Sequence, residues 1–161
     1  MTTIAVTGHM DLTASSVPLV RSALLEALRP YADDLTGVSC IAKGSDSLFA
    51  EVVLELGGRL VAVIPSKDYH QKKVKAEHKE TFGRLRDAAS EVVVLDHEMA
   101  NRSAYEDANR LLLERGDRLV AVWNGEPPSG KGGGTADTVL EAREAGLPVD
   151  VIWPDGAARQ G

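Results

Sequence analysis

The 161-residue sequence predicts an α/β fold in three layers, a doubly wound and mainly parallel sheet with helices on both faces. Two observations predict it. Short Val/Ile/Leu runs alternate with longer amphipathic stretches along the whole chain, a pattern that buries parallel strands between helices. Several loops after those runs carry glycine beside small polar residues, which is where open parallel sheets bind ligands.

In order, Ile4, Ala5 and Val6 make the first strand. Residues 15–28 place Val17, Val20, Leu24, Leu25 and Leu28 at helical spacing, with Thr13 or Ser15 able to cap them. The second strand is 38–42. The next helix, 45–56, turns Leu48, Phe49, Val52, Val53 and Leu56 inward, and the third strand, 59–64, stops at Pro65. Residues 66–78 are rich in Lys, His and Gln and read as a mobile surface segment or an exposed helical turn. Helix 80–89, strand 91–95, helix 104–114 and strand 118–123 follow, and then helix 138–145, ended by Gly146, and a last strand at 149–153. Right-handed crossovers between such strands make the sheet Rossmann-like. One domain is expected over 1–154, with 155–161 as a frayed tail.

Composition bounds the function. The formal net charge is −6, from 24 acidic residues against 18 Lys and Arg, which argues against broad nucleic-acid binding. A small phosphorylated ligand needs only one local pocket and stays compatible. The single cysteine, Cys40, lies in an apolar run and reads as a core residue rather than a nucleophile. The four histidines have no metal-ligand spacing, so neither a metal nor a cofactor is expected. No signal peptide or membrane-length apolar run is read, and a soluble cytoplasmic protein without a membrane partner is expected.

The strongest motif is Gly130-Lys131-Gly132-Gly133-Gly134-Thr135-Ala136-Asp137, between the fifth strand and the last helix. Glycines admit a ligand to the backbone, and the free N–H groups and dipole of a helix start favour phosphate there. Gly132, Gly133, Gly134 and Thr135 supply donors, and Lys131 supplies charge. The competing reading is a surface loop whose glycines only turn the chain. Asp137 is either the catalytic carboxylate or a carboxylate that stabilises the helix start. This is not a Walker A loop, because Gly132 follows Lys131 where Ser or Thr is required.

Loop one, 7–11, offers the Thr7 hydroxyl, a turn at Gly8 and His9 as donor or acceptor, or else a solvated histidine. Loop two, 42–46, turns at Gly44; if Ser45 caps the helix, Asp46 is left for a ribose or base, and if Asp46 caps, it is structural. Arg102, Tyr105 and Asn109 share helical spacing: Arg102 can reach a phosphate and Tyr105 can stack on a base, unless the face is simply solvated.

Taken together, Thr7-Gly8-His9, Ala42-Lys43-Gly44-Ser45-Asp46 and Gly132-Gly133-Gly134-Thr135-Ala136-Asp137 resemble the SLOG superfamily. That group includes the LOG-type cytokinin-activating phosphoribohydrolases, the DprA-like proteins and bacterial nucleotide-signal sensors. The resemblance implies a Rossmann-like domain that binds a nucleotide or nucleotide-derived ligand, ADP-ribose-like in kind, often as a homodimer or higher homo-oligomer. LOG enzymes carry Pro-Gly-Gly-x-Gly-Thr-x-x-Glu, and aligning on Gly134-Thr135 puts Thr138 at the glutamate. The resemblance therefore implies a phosphate cradle without the family acid. It favours a binding module over a nucleoside 5'-monophosphate N-glycosidase that uses Asp137.

Overall fold

The computed structural model describes residues 2–129 and 134–160. Its six strands are β1 (Thr2–Gly8), β2 (Leu35–Ser39), β3 (Arg59–Ile64), β4 (Glu91–Val94), β5 (Arg118–Val122) and β6 (Val149–Ile152). They form one sheet in the order β4-β3-β2-β1-β5-β6, and every pair is parallel. The chain winds outward from β1 to β4, then returns to add β5 on the other side of β1. That reversal leaves a crevice at the carboxyl ends of β1 and β5.

The helices are α1 (Ser16–Leu28), α2 (Ser45–Glu55), α3 (Tyr69–Lys72), α4 (Ala76–Ala88), α5 (Arg102–Arg115) and α6 (Thr135–Glu144). Strand alternation sorts them onto two faces. Ile4 and Val6 point to α1 and α2, packing with Val20, Leu24, Phe49 and Val53. Ala5, Val38, Val61 and Val63 point the other way, against Ala108 and Leu112 of α5 and Ala142 of α6. Helix α4 covers β3 through Phe82 and Leu85.

Several local readings differ from the structure, three of them in the body of the fold. Strand β2 begins and ends three residues earlier than the apolar run suggests. Ile41 ends it with φ at +48°, and its N–H is taken by Ser39 Oγ at 2.9 Å. The 66–78 segment does hold a helical turn, α3, with Gln71 and Lys72 exposed, but it is not exposed throughout: Tyr69 and Val74 are buried in the core under α4, and His78 of α4 is buried as well. Residues 155–160 do not fray. Thr13 N–H bonds Ala158 O at 3.0 Å, Gln160 N–H bonds Asp11 O at 2.7 Å, and Leu12 bridges Arg159, so the tail is sewn to the loop after β1. No helix among the described residues is long and apolar enough to cross a membrane.

Candidate ligand-binding cleft

A cleft of about 550 Å³ opens at the carboxyl edge of the sheet. Val6, Thr7 and Gly8 at the end of β1 line its base. Tyr105, Asn109 and Leu112 of α5 form one side, and the chain after β5 with Gly134, Thr135, Ala136 and Asp137 forms the other.

Close packing fixes the base. A Cβ on Gly8 would stand 2.5 Å from Ser45 Cβ and 2.9 Å from Val122 Cβ, so only glycine lets β1, α2 and β5 meet there. Gly44 has φ at +83°, and a Cβ on it would stand 2.7 Å from Met10 O. The His9 carbonyl accepts both the Ser45 hydroxyl at 2.7 Å and the Ser45 N–H at 3.2 Å. Neither Ser45 nor Asp46 caps α2; Gly44 holds that position. Helix α1 likewise has no side-chain cap.

His9 is buried, and its Nε2 accepts the Asn124 N–H at 3.2 Å. Its ring meets Trp153 edge-on at 5.5 Å. Burial, followed by the charge of Arg159, lowers its pKa. The imidazole is therefore neutral near pH 7, carries its proton on Nδ1, and pins the loop after β5 to β1.

Asp46 is the second residue of α2, half-buried on the cleft wall. Burial pushes its pKa up to about 7, against a lowering hydrogen bond from the backbone of Ala42. Burial and, after it, the Asp46 charge raise the neighbouring Cys40 thiol far enough to keep it protonated. Cys40 lines the cleft as a half-buried, unreactive thiol.

Helix α6 starts three residues before the reading of 138–145, which brings Thr135 and Asp137 into its first turn. The Asp137 carboxylate accepts the Gly134 N–H at 3.1 Å, and the Thr138 hydroxyl donates to Gly134 O at 3.2 Å. Thr135, Ala136 and Asp137 keep first-turn N–H groups without intrahelical acceptors. Lys131, Gly132 and Gly133 lie outside the described residues.

Of the other residues singled out by sequence, Thr7, Gly8, His9, Asp46, Gly134 and Thr135 converge on the cleft, whereas Gly44 and Ser45 support it from below. Arg102 does not reach it. Its side chain is 69% exposed and pairs with Glu106 one turn on, at 2.8 Å. Sequence reasoning missed Asn124 and Arg159. Asn124 enters through its backbone, which leaves no sequence signal, and Arg159 sits in a tail without apolar periodicity.

No protein-family model matches the chain, and no curated protein matches it in sequence. Solved structures do. DNA processing protein A (DprA) of Streptococcus pneumoniae has a TM-score of 0.68 at 19% identity, over 94% of this chain and 50% of that one. This chain thus spans half the length of the pneumococcal protein. DprA of Helicobacter pylori, described with a single-stranded DNA binding mode, has a TM-score of 0.68 at 16% identity, over 98% of this chain and 68% of that one. The molybdenum cofactor binding protein of Rippkaea orientalis has a TM-score of 0.61 at 17% identity, over 96% of this chain and 77% of that one. The chain shares the Rossmann-like α/β fold of these proteins.

One expectation is corrected here. A net charge of −6 was set against broad nucleic-acid binding, but the Helicobacter pylori protein is described as binding single-stranded DNA on this fold. Net charge averages over the whole surface, whereas phosphate contacts need only a local group of donors and cations.

Proposed function

We propose that the cleft binds a nucleotide or a nucleotide-derived phosphorylated ligand, ADP-ribose-like in kind, and that binding rather than turnover is its task. The observation that carries this reading is the position of the cleft. It opens where the strand order reverses, with the start of α6 on its wall. Tyr105 offers an aromatic face for a base, and Asn109 a polar side chain beside it. The Asp137 carboxylate is engaged by Gly134 N–H, as expected of a group that holds the loop rather than one that activates water.

A nucleoside 5'-monophosphate N-glycosidase is the second reading, and one observation favours it. Asp46, with a pKa of about 7, supplies a carboxylic acid to the same cleft, and Asp137 would be the carboxylate. One experiment separates the two. Wild-type protein is titrated calorimetrically with AMP, adenosine and a short single-stranded oligonucleotide, while chromatography follows free adenine under single-turnover conditions. The binding reading expects AMP to bind at least tenfold more tightly than adenosine, without adenine release. Binding of none of the three, or equal affinity for AMP and adenosine, contradicts it. Fast adenine release that disappears in Asp137→Asn while AMP still binds would establish the N-glycosidase instead.

A further inference from the structure

The charge around the cleft is unfavourable to a phosphate almost everywhere. Asp11, Asp46, Glu126 and Asp137 all line it. Among the described lining residues, Arg159 is the one permanent cation. It comes from the C-terminal tail, and the tail is held rigidly enough to present it, through the hydrogen bonds of Ala158 with Thr13 and Ser16 and of Gln160 with Asp11 and Leu12.

The way Arg159 is held matters. Its Nε donates to Asp11 Oδ1 at 2.8 Å. Burial works against the Asp11 carboxylate, yet the hydrogen bond and charge of Arg159 hold its pKa below the usual range, so the pair is ionised at neutral pH. Asp11 occupies the inner edge of the guanidinium. That bond engages neither terminal nitrogen; Glu126 acts on the guanidinium through its charge, and the N–H fork of the two terminal nitrogens is the part that matches a phosphate bidentately.

Arg159 also stands between two spaces. A second cavity of about 490 Å³ adjoins the cleft and shares Asp11, Asn124, Glu126 and Arg159 with it. Trp153 and Ala157 line the far side of that cavity. An aromatic ring is thus available on each side of the one cation, Tyr105 in the cleft and Trp153 in the adjoining cavity. Tyr105 suits the base of a diphosphate-bridged ligand by stacking, and Trp153 offers an apolar surface to the sugar ring at its other end.

We infer that Arg159, oriented by Asp11, anchors the diphosphate of a ligand whose two ring-bearing halves lie in the two cavities, so that the C-terminal tail is part of the site. The inference rests on the nucleotide reading of the cleft and deepens it, by naming Arg159 of the C-terminal tail as the residue that takes the phosphates and the adjoining cavity as the place of the ligand's second half.

The test is calorimetric titration of wild type, Arg159→Gln, Arg159→Lys and Ala157→Leu with AMP and with ADP-ribose, with thermal unfolding of each variant as the fold control. Arg159 and Asp11 form a surface pair, so Arg159→Gln should stay folded. Wild type is expected to bind ADP-ribose at least tenfold more tightly than AMP. Arg159→Gln is expected to lose tenfold or more for ADP-ribose, and Arg159→Lys to recover part of that loss, since a point charge replaces the fork. Ala157→Leu, which fills the second cavity, is expected to narrow the gap between the two ligands. If AMP and ADP-ribose bind wild type equally, or if folded Arg159→Gln keeps wild-type affinity for ADP-ribose, the inference is overturned while the nucleotide reading stands. If wild type binds neither ligand, the nucleotide reading itself has failed and takes the inference with it.

Discussion

Thr36 puts a hydroxyl where no described group accepts it. Its Oγ1 is buried in β2 with no hydrogen-bond partner among the described residues. Thr36→Val keeps the branched shape and removes the stranded group, so it should stabilise the fold by about 1 kcal/mol, read as a higher urea midpoint with an unchanged slope. Gly44→Ala should do the opposite. It adds a Cβ at positive φ and within 2.7 Å of a carbonyl oxygen, which costs about 2–4 kcal/mol in the same measurement. Asp46 gives the molecule a pH signature. With a folded pKa raised from 3.8 to about 7, the native state holds a proton that the unfolded chain has already lost. Its contribution is fully present below about pH 4, falls as pH rises toward 7 and is gone above that. Asp46→Asn should flatten this fall, and urea titrations from pH 4 to pH 8 will show whether it does. Gly8 and Gly44 were legible in the sequence because a glycine straight after a strand or before a helix signals a constrained backbone. Arg102 was misleading, because helical spacing places a residue on a face without saying whether the face reaches the cleft.

At the scale of elements, the loops that carry the site are set by how helices begin. Helix α5 is capped by Asn101, whose Oδ1 accepts the Ala104 N–H at 3.0 Å. This helix presents Tyr105 and Asn109 to the cleft. Asn101→Ala should cost about 1 kcal/mol of stability in urea unfolding and weaken ligand binding through Tyr105, while Asn101→Asp should keep both. The loop between β2 and α2 is held another way. Ile41 takes a left-handed backbone that disfavours β-branched residues. It is kept there by Ser39 Oγ on its N–H, by the Ser47 hydroxyl at 3.3 Å and by His78 Nε2 at 3.1 Å, both on its carbonyl. None of this was visible in the pattern of apolar residues, which extended β2 to residue 42. The same pattern left 66–78 on the surface, because few apolar residues mark it. Tyr69, Val74 and His78 nevertheless suffice to bury one side of it.

The whole molecule explains why a chain with few aromatics and an acidic balance carries a defined cleft. Six short apolar runs, five crossovers and one reversal of strand order place the loops after β1, β2 and β5 together. That much was readable in the sequence, since the alternation of strands and helices sets the topology and the glycine-bearing loops fall on one edge. The contribution of residues 155–160 was not readable, because long-range hydrogen bonds to the loop after β1 leave no local pattern. Truncation after Pro154 should therefore expose Leu12, remove the Arg159–Asp11 pair and lower the unfolding temperature by several degrees in a calorimetric scan. An unchanged melting temperature would mean that the tail adds nothing to the fold.

The account as a whole turns on the cleft at β1 and β5 taking a nucleotide by its phosphate. The most direct measurement is a crystal structure of the protein soaked with AMP. The account predicts density for the phosphate within hydrogen-bond reach of the first-turn N–H groups of α6, at Thr135 and Ala136, with the base beside Tyr105. AMP bound elsewhere on the surface, or a cleft left empty at saturating AMP, would contradict it.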